Sequence, residues 1–167
     1  MTTTWVVVPT TAAAVEATAR ACRRLVTKRA LFAAGVAMVP LPGIDWITDV
    51  GVLLKLIPEI NEAFGLTPQQ IERLAPDRRV VVYKALSAGS GLLVGRLVTR
   101  EVVLKMLTRV GVRLTTQQAA KYLPLAGQAV SAALTFSALK FVCEQHIRQC
   151  MAVAHRLQQL PAPTTPA

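Results

Sequence analysis

Arg29-Ala-Leu-Phe-Ala-Ala-Gly35-Val-Ala-Met-Val-Pro40-Leu-Pro-Gly43-Ile-Asp45-Trp-Ile-Thr-Asp49 is the stretch that sets the fold class. Its first part is a charge-free run of small and aliphatic residues. Pro40 and Pro42 disfavour a helical predecessor, and Gly43 allows a tight turn. After the turn apolar residues resume, with Asp45 and Asp49 one helical turn apart. The pattern is helix, sharp break, helix.

The same grammar extends in both directions. Towards the N-terminus, Thr10 or Thr11 can cap a helix running through an Ala-rich stretch to about Val39. Towards the C-terminus, a second helix starts near Ile44, meets Pro58, which should kink or split it, and ends at Gly65. Thr67-Pro68-Gln69-Gln70 then combines a cap, a proline at the first helical position and a capping-box glutamine. Pro76 is expected to close that short helix and Asp77 to cap the next. Helical pattern continues from Arg78 to about Leu114, interrupted around Gly89 to Gly95 or near Thr99. Thr115 or Thr116 opens another helix, Pro124 breaks it, and a long helix follows from Leu125 towards Gln159. Strand-like patterning is confined to Trp5–Val8 and Val80–Val82. The expectation is an all-α fold, a compact bundle of about five to seven helices. Residues 1–10 form a loose lead, 11–160 a single helical domain and 161–167 a disordered Pro/Thr tail.

An internal echo accompanies this layout. At an offset of 84 residues, Pro40-Leu41-x-Gly43 falls on Pro124-Leu125-x-Gly127 and Arg29 on Arg113. A small-residue segment precedes each break and an apolar helix follows it. The chain therefore carries the outline of two helix–PLxG–helix hairpins.

Composition narrows the function classes. The 167 residues are 53% hydrophobic but only 5% aromatic, so the apolar mass is Ala, Val and Leu, which suits close helix packing and membrane contact alike. The net charge is +10, with basic flanks around an acidic segment at residues 44–77. That surplus favours an anionic partner: a lipid surface, nucleic acid or an acidic protein. The basic residues are dispersed, lack interleaved aromatics and belong to no groove-reading motif, which puts nucleic acid last. Three cysteines, Cys22, Cys143 and Cys150, do not make a disulfide framework, and Met1 to Ala19 does not read as a secretory signal. A reducing, cytosolic setting follows.

Two uncharged stretches pose the membrane question. Ala30 to Ile44 runs for 15 residues and Tyr122 to Leu139 for 18, each with a proline break inside. A spanning helix needs roughly 20 apolar residues, so neither is a straightforward span. Each is either buried core or a hairpin that dips into one leaflet. Arg20, Arg24 and Lys28 recur every fourth residue with Arg23 beside them and Arg29 following, giving the first helix a basic face that leads into the apolar hairpin. A solvated charged face is the plainer reading of the same spacing.

Other constellations read as structural. Asp45 and Asp49 suit the positive end of a helix and could pair with a neighbouring cation. Cys143, His146 and Cys150 share a narrow arc, but Phe136, Leu139, Ala154 and Leu157 lie on the same stripe, which makes it a core face rather than a metal site. Gly89-Ser-Gly-Leu-Leu-Val-Gly95 lacks the Gly-Lys-Ser/Thr ending of a phosphate loop, and Gly91-x-x-x-Gly95 offers a flat patch for helix approach. With no nucleophile–base–acid set in view, neither an enzyme nor a cofactor is expected.

The segment from Arg29 to Gly35, the run Pro40-Leu-Pro-Gly-Ile-Asp45-Trp-Ile-Thr-Asp49, Phe64-Gly65-Leu66 and Lys121-Tyr-Leu-Pro-Leu-Ala-Gly127 together resemble a GTPase-associated family catalogued as domain of unknown function 697. They are also similar to the C-terminal helical region of immunity-related GTPases. The resemblance covers about residues 25–155. It implies an all-helical module, fused to or encoded beside bacterial GTPase domains and often membrane-associated. Its signature positions here are Pro40, Pro42, Gly43, Asp45, Asp49, Pro124 and Gly127. This sequence carries no GTPase domain, so a nucleotide-dependent switch is expected from a partner in trans. The leading expectation is a non-enzymatic module at the cytoplasmic side of the inner membrane. It would bind anionic lipid through Arg20, Arg23, Arg24, Lys28 and Arg29, dock a GTPase-type partner, or do both; a homo-oligomer is compatible with either. The alternative is a pore-forming effector that hides an apolar hairpin in a bundle.

Overall fold

The computed structural model describes residues 8–37, 44–85 and 127–160, and among these all regular structure is helical. The helices are α1 (Ala12–Ala37), α2 (Ile44–Ala63), α3 (Pro68–Glu72), α4 (Pro76–Ala85) and α5 (Gly127–Gln158). The Pro40–Gly43 break, the helices expected between Leu86 and Ala126, and the tail lie outside the described residues.

Local chemistry accounts for the helix ends. Thr11 caps α1 by accepting at Oγ1 from the Ala14 amide at 3.1 Å. α2 closes in a Schellman turn: the Leu66 amide donates to the Asn61 carbonyl at 2.8 Å and the Gly65 amide to that of Glu62 at 3.0 Å. Gly65 holds φ +69, a left-handed conformation that favours glycine, and an added Cβ would crowd Val8 Cγ2 at 3.2 Å. The capping box before α3 forms as the sequence predicts. Gln70 N–H donates to Thr67 Oγ1 at 3.2 Å and Thr67 N–H to Gln70 Oε1 at 3.0 Å.

Two local expectations are corrected. Pro76 does not close α3; it occupies the first position of α4, where its missing N–H costs nothing, and Asp77 falls in the first turn rather than at the cap. Val80–Val82, though strand-like in composition, belongs to α4, in keeping with the helical pattern expected from Arg78 onward. At Pro58, where a kink or a split is expected, the split does not occur and α2 runs unbroken through the proline. The proline is exposed, and fully buried Ile57 and Ile60 on either side hold the segment helical against a penalty of about 3 kcal/mol.

Contacts divide the described chain into two compact units, each drawing on α1, α2 and α5. The first contains residues 8–22, 58–85 and 146–160; its core includes Val15 and Ala19 of α1, Ile60 of α2, Phe64 and Leu66 just beyond α2, and Ile147, Val153 and Leu157 of α5. The second contains residues 23–37, 44–57 and 127–145, with Val26, Ala30, Ala33, Leu53, Leu56, Ile57, Leu139 and Val142 buried. Buried positions recur every three or four residues along each long helix, the signature of one core-facing stripe.

Gly51 lies inside α2, where the packing itself does not require glycine. A Cβ there meets nothing within 4 Å. Gly51→Ala should raise stability by up to about 1 kcal/mol through helix propensity, read as a higher urea midpoint at unchanged slope. A lower midpoint would show that the position needs its flexibility.

Candidate functional site

The second unit presents the basic part of α1. Arg24 and Lys28 are exposed, and Arg20 is exposed one turn earlier, in the stretch of α1 that belongs to the first unit. Arg23 differs. Its Nε donates to Glu144 Oε2 at 3.0 Å and Oε1 at 3.2 Å, and its Nη2 donates to Oε1 at 3.0 Å. This two-pronged pair joins α1 to α5 and leaves Arg23 neutralised and half-buried. Arg29 is also half-buried. Of the five cations the sequence groups together, Arg20, Arg24 and Lys28 are exposed, and Arg23 and Arg29 are half-buried.

The exposed face is not purely polar. Phe32 is 70% exposed and Leu31 59% exposed, directly after the cations. Phe32 continues the four-residue series Arg24, Lys28, Phe32, so an aromatic ring stands on the basic stripe itself. With the neighbouring Leu31, the ring forms a small exposed apolar patch at the end of the basic series. The outward face thus runs from positive charge into large apolar side chains.

Two hollows flank Lys28. One, of about 440 Å³, is bordered by Arg23, Arg24, Thr27, Lys28 and Leu31. The other is a groove of about 600 Å³ between α1 and α2, lined by Leu25, Lys28, Arg29, Phe32, Gly51, Val52 and Lys55. Among the described residues, no acidic side chain lines either hollow. Leu31, Phe32, Gly51 and Lys55 were not singled out in the sequence. The four-residue spacing could have found Phe32, whereas Gly51 and Lys55 enter only through the α1–α2 packing.

The signature residues are placed only in part. Asp45 and Asp49 lie in the first two turns of α2, where helix polarity favours carboxylates, and Gly127 is the first residue of α5. Pro40, Pro42, Gly43 and Pro124 lie outside the described residues.

The Cys143–His146–Cys150 arc faces inward, as its stripe predicts. All three are essentially inaccessible, and no group of metal-ligating side chains occurs among the described residues. His146 Nε2 lies 3.0 Å from Asn61 Oδ1, which can only accept, so the ring nitrogen donates. The Cys150 thiol donates to the same oxygen at 3.7 Å. This is a buried polar contact between α2 and α5 in the first unit. Asn61→Leu should cost about 1–3 kcal/mol, because it strands the imidazole donor in the core. The Asn61→Leu/His146→Leu double variant should recover part of that loss. A double-variant loss equal to the sum of the Asn61→Leu and His146→Leu losses, in urea titrations, would show that the pair contributes no coupling.

Burial also sets the thiol chemistry. Burial pushes Cys143 up to about 12, and Cys150 is pushed up by burial first and then by the proximity of Cys22. Both remain protonated and poorly nucleophilic at neutral pH. The unfolded chain would release these protons above the ordinary thiol value near 9, while the folded chain keeps them. Stability should therefore fall as pH rises from about 9 towards 12, by at most about 1.4 kcal/mol per pH unit for each thiol. Urea midpoints at pH 8 and 10 measure it, and a Cys143→Ala/Cys150→Ala chain should show a shallower decline.

Comparison with protein-family models, with curated proteins and with solved structures finds no match for this chain.

Proposed function

We propose that the protein is a non-enzymatic, membrane-associated helical module that binds anionic lipid surfaces through the outward face of α1. The observation that carries this reading is the exposure of Leu31 and Phe32 beside Arg24 and Lys28. A basic helix face with large apolar residues is what an interfacial segment needs: charge to approach an anionic leaflet and apolar area to remain there. No described helix is long and apolar enough to cross a membrane, so the association rests on this face and not on a span among those residues. Its setting is the cytoplasmic side of the inner membrane, peripheral to it or partly inserted.

A finer architecture belongs to the same proposal: a bundle of five to seven helices built from two helix–PLxG–helix hairpins, resting on the 84-residue echo.

Flotation of the purified chain with phosphatidylglycerol-containing and pure phosphatidylcholine vesicles tests the function. Binding to the anionic vesicles alone, weakened by salt, is the expected result. Equal binding to both vesicle types would replace charge with insertion of an apolar hairpin, and dye release would then test the pore-forming alternative. Absence of flotation at low salt would overturn membrane binding. It would leave a GTPase-type partner, which is supported by the Pro40-to-Asp49 motif alone.

A further inference from the structure

We infer that the groove between α1 and α2 is a binding site for one anionic phospholipid molecule. Lys28 and Lys55 would hold the headgroup phosphate, and Leu25, Phe32 and Val52 would cover the first part of the chain. This inference deepens the proposed function and rests on it: a general attraction to charged surfaces becomes recognition of single lipids.

Three observations carry it. The first is charge. Lys28 and Lys55 stand on opposite walls, both exposed, and neither has a carboxylate within ion-pair distance among the described residues. Two ammonium groups with no acidic partner among the described residues match an anion bearing several acceptor oxygens. The second is the mixed lining. A site for free phosphate has no use for leucine, phenylalanine and valine, and a site for an uncharged chain has no use for lysines. A phospholipid has both parts, and about 600 Å³ is within the range of small-molecule sites. The third is Gly51. It supplies bare backbone to the groove where any side chain would project into open space, with no protein atom within 4 Å of an added Cβ. Helix propensity argues against glycine at that position, and open volume for a ligand is a reason to keep it.

The geometry also relates the groove to the surface. Phe32 borders the groove and is 70% exposed, so the site opens beside the apolar side chains of the proposed membrane-facing helix. A lipid would need to shift only partly out of its leaflet to reach the lysines.

Titration calorimetry on the full chain tests this with soluble probes: dihexanoyl phosphatidylglycerol below its micelle concentration, dihexanoyl phosphatidylcholine, and inorganic phosphate. Saturable one-to-one binding of the phosphatidylglycerol probe is expected, at least about tenfold tighter than either of the others. Gly51→Leu, which fills the groove and keeps every charge, should weaken it at least about tenfold, with helix content checked by circular dichroism. Lys55→Gln should weaken it about fivefold, and decides the matter if Gly51→Leu proves poorly folded. Equal affinity for both lipids, phosphate binding as tightly as the anionic lipid, or a folded Gly51→Leu chain that binds normally would each overturn the site. Vesicle flotation in parallel separates the two ideas. Flotation without binding of the soluble lipid overturns the groove and leaves surface docking standing; soluble-lipid binding without flotation supports the groove and overturns the docking.

Discussion

A chain carrying Arg24→Glu and Lys28→Glu is expected to lose about three orders of magnitude in affinity for anionic vesicles. Each basic residue near an anionic leaflet contributes about 1 kcal/mol, and reversal changes its charge by two, so the pair accounts for about 4 kcal/mol. Both side chains are exposed, which keeps the cost to folding small. Arg23→Gln is the internal control. Because Glu144 already neutralises that guanidinium, its loss should alter vesicle affinity by less than about fivefold and cost stability by up to about 1 kcal/mol instead. Phe32→Ser probes the apolar contribution. Losing a ring that enters the lipid should cost about 2 kcal/mol, and this part, unlike the charge part, should survive high salt. If Arg23→Gln weakens binding as much as the double reversal does, total charge matters and not the face, and the assignment of α1 fails.

The largest effect on the fold should come from Phe64→Ala. Phe64 follows the last turn of α2, is fully buried, and precedes the Gly65 turn whose amide hydrogen bonds close the helix. Removing the ring deletes the largest apolar side chain of the first unit's core and leaves a cavity. A loss of about 3–5 kcal/mol is expected, a large part of the 5–15 kcal/mol that holds a typical domain together. Thermal and urea unfolding measure it. A change below about 1 kcal/mol would mean that the surrounding side chains collapse into the space, and that the Schellman turn and Val8 are held by other contacts.

What the sequence makes legible here is what neighbours in the chain decide. Thr11, Gly65, Thr67, Pro68 and Gln70 act on backbone groups within a few residues of themselves, and each appears where its chemistry predicts. Pro76 was harder, because a proline suits both the residue after one helix and the first residue of the next, and only the structure separates the two. The buried stripe through Leu139, Cys143, His146 and Cys150 follows from helical spacing alone. The candidate site is different in kind. Arg23 and Arg24 are adjacent cations in a sequence, yet one is bound to Glu144, 121 residues away, and the other faces solvent. Likewise, Lys28 and Lys55 share a groove only because α1 and α2 pack together. Contacts across that distance leave no local trace.

The Asn61–His146 hydrogen bond has a consequence beyond its strength. Around it the two helices bury mainly aliphatic side chains, which interdigitate almost equally well in several alignments. A one-turn slip of α5 along α2 would bring Val142 or Cys150 opposite Asn61 and leave the amide oxygen or the imidazole without its partner. The pair therefore sets register: it adds little to net stability, while each slipped alignment bears the cost of a stranded polar group. Replacing both by leucine would keep the helices together and remove that distinction, so the amide resonances of α5 should broaden or double as the helix samples alignments that the native pair forbids.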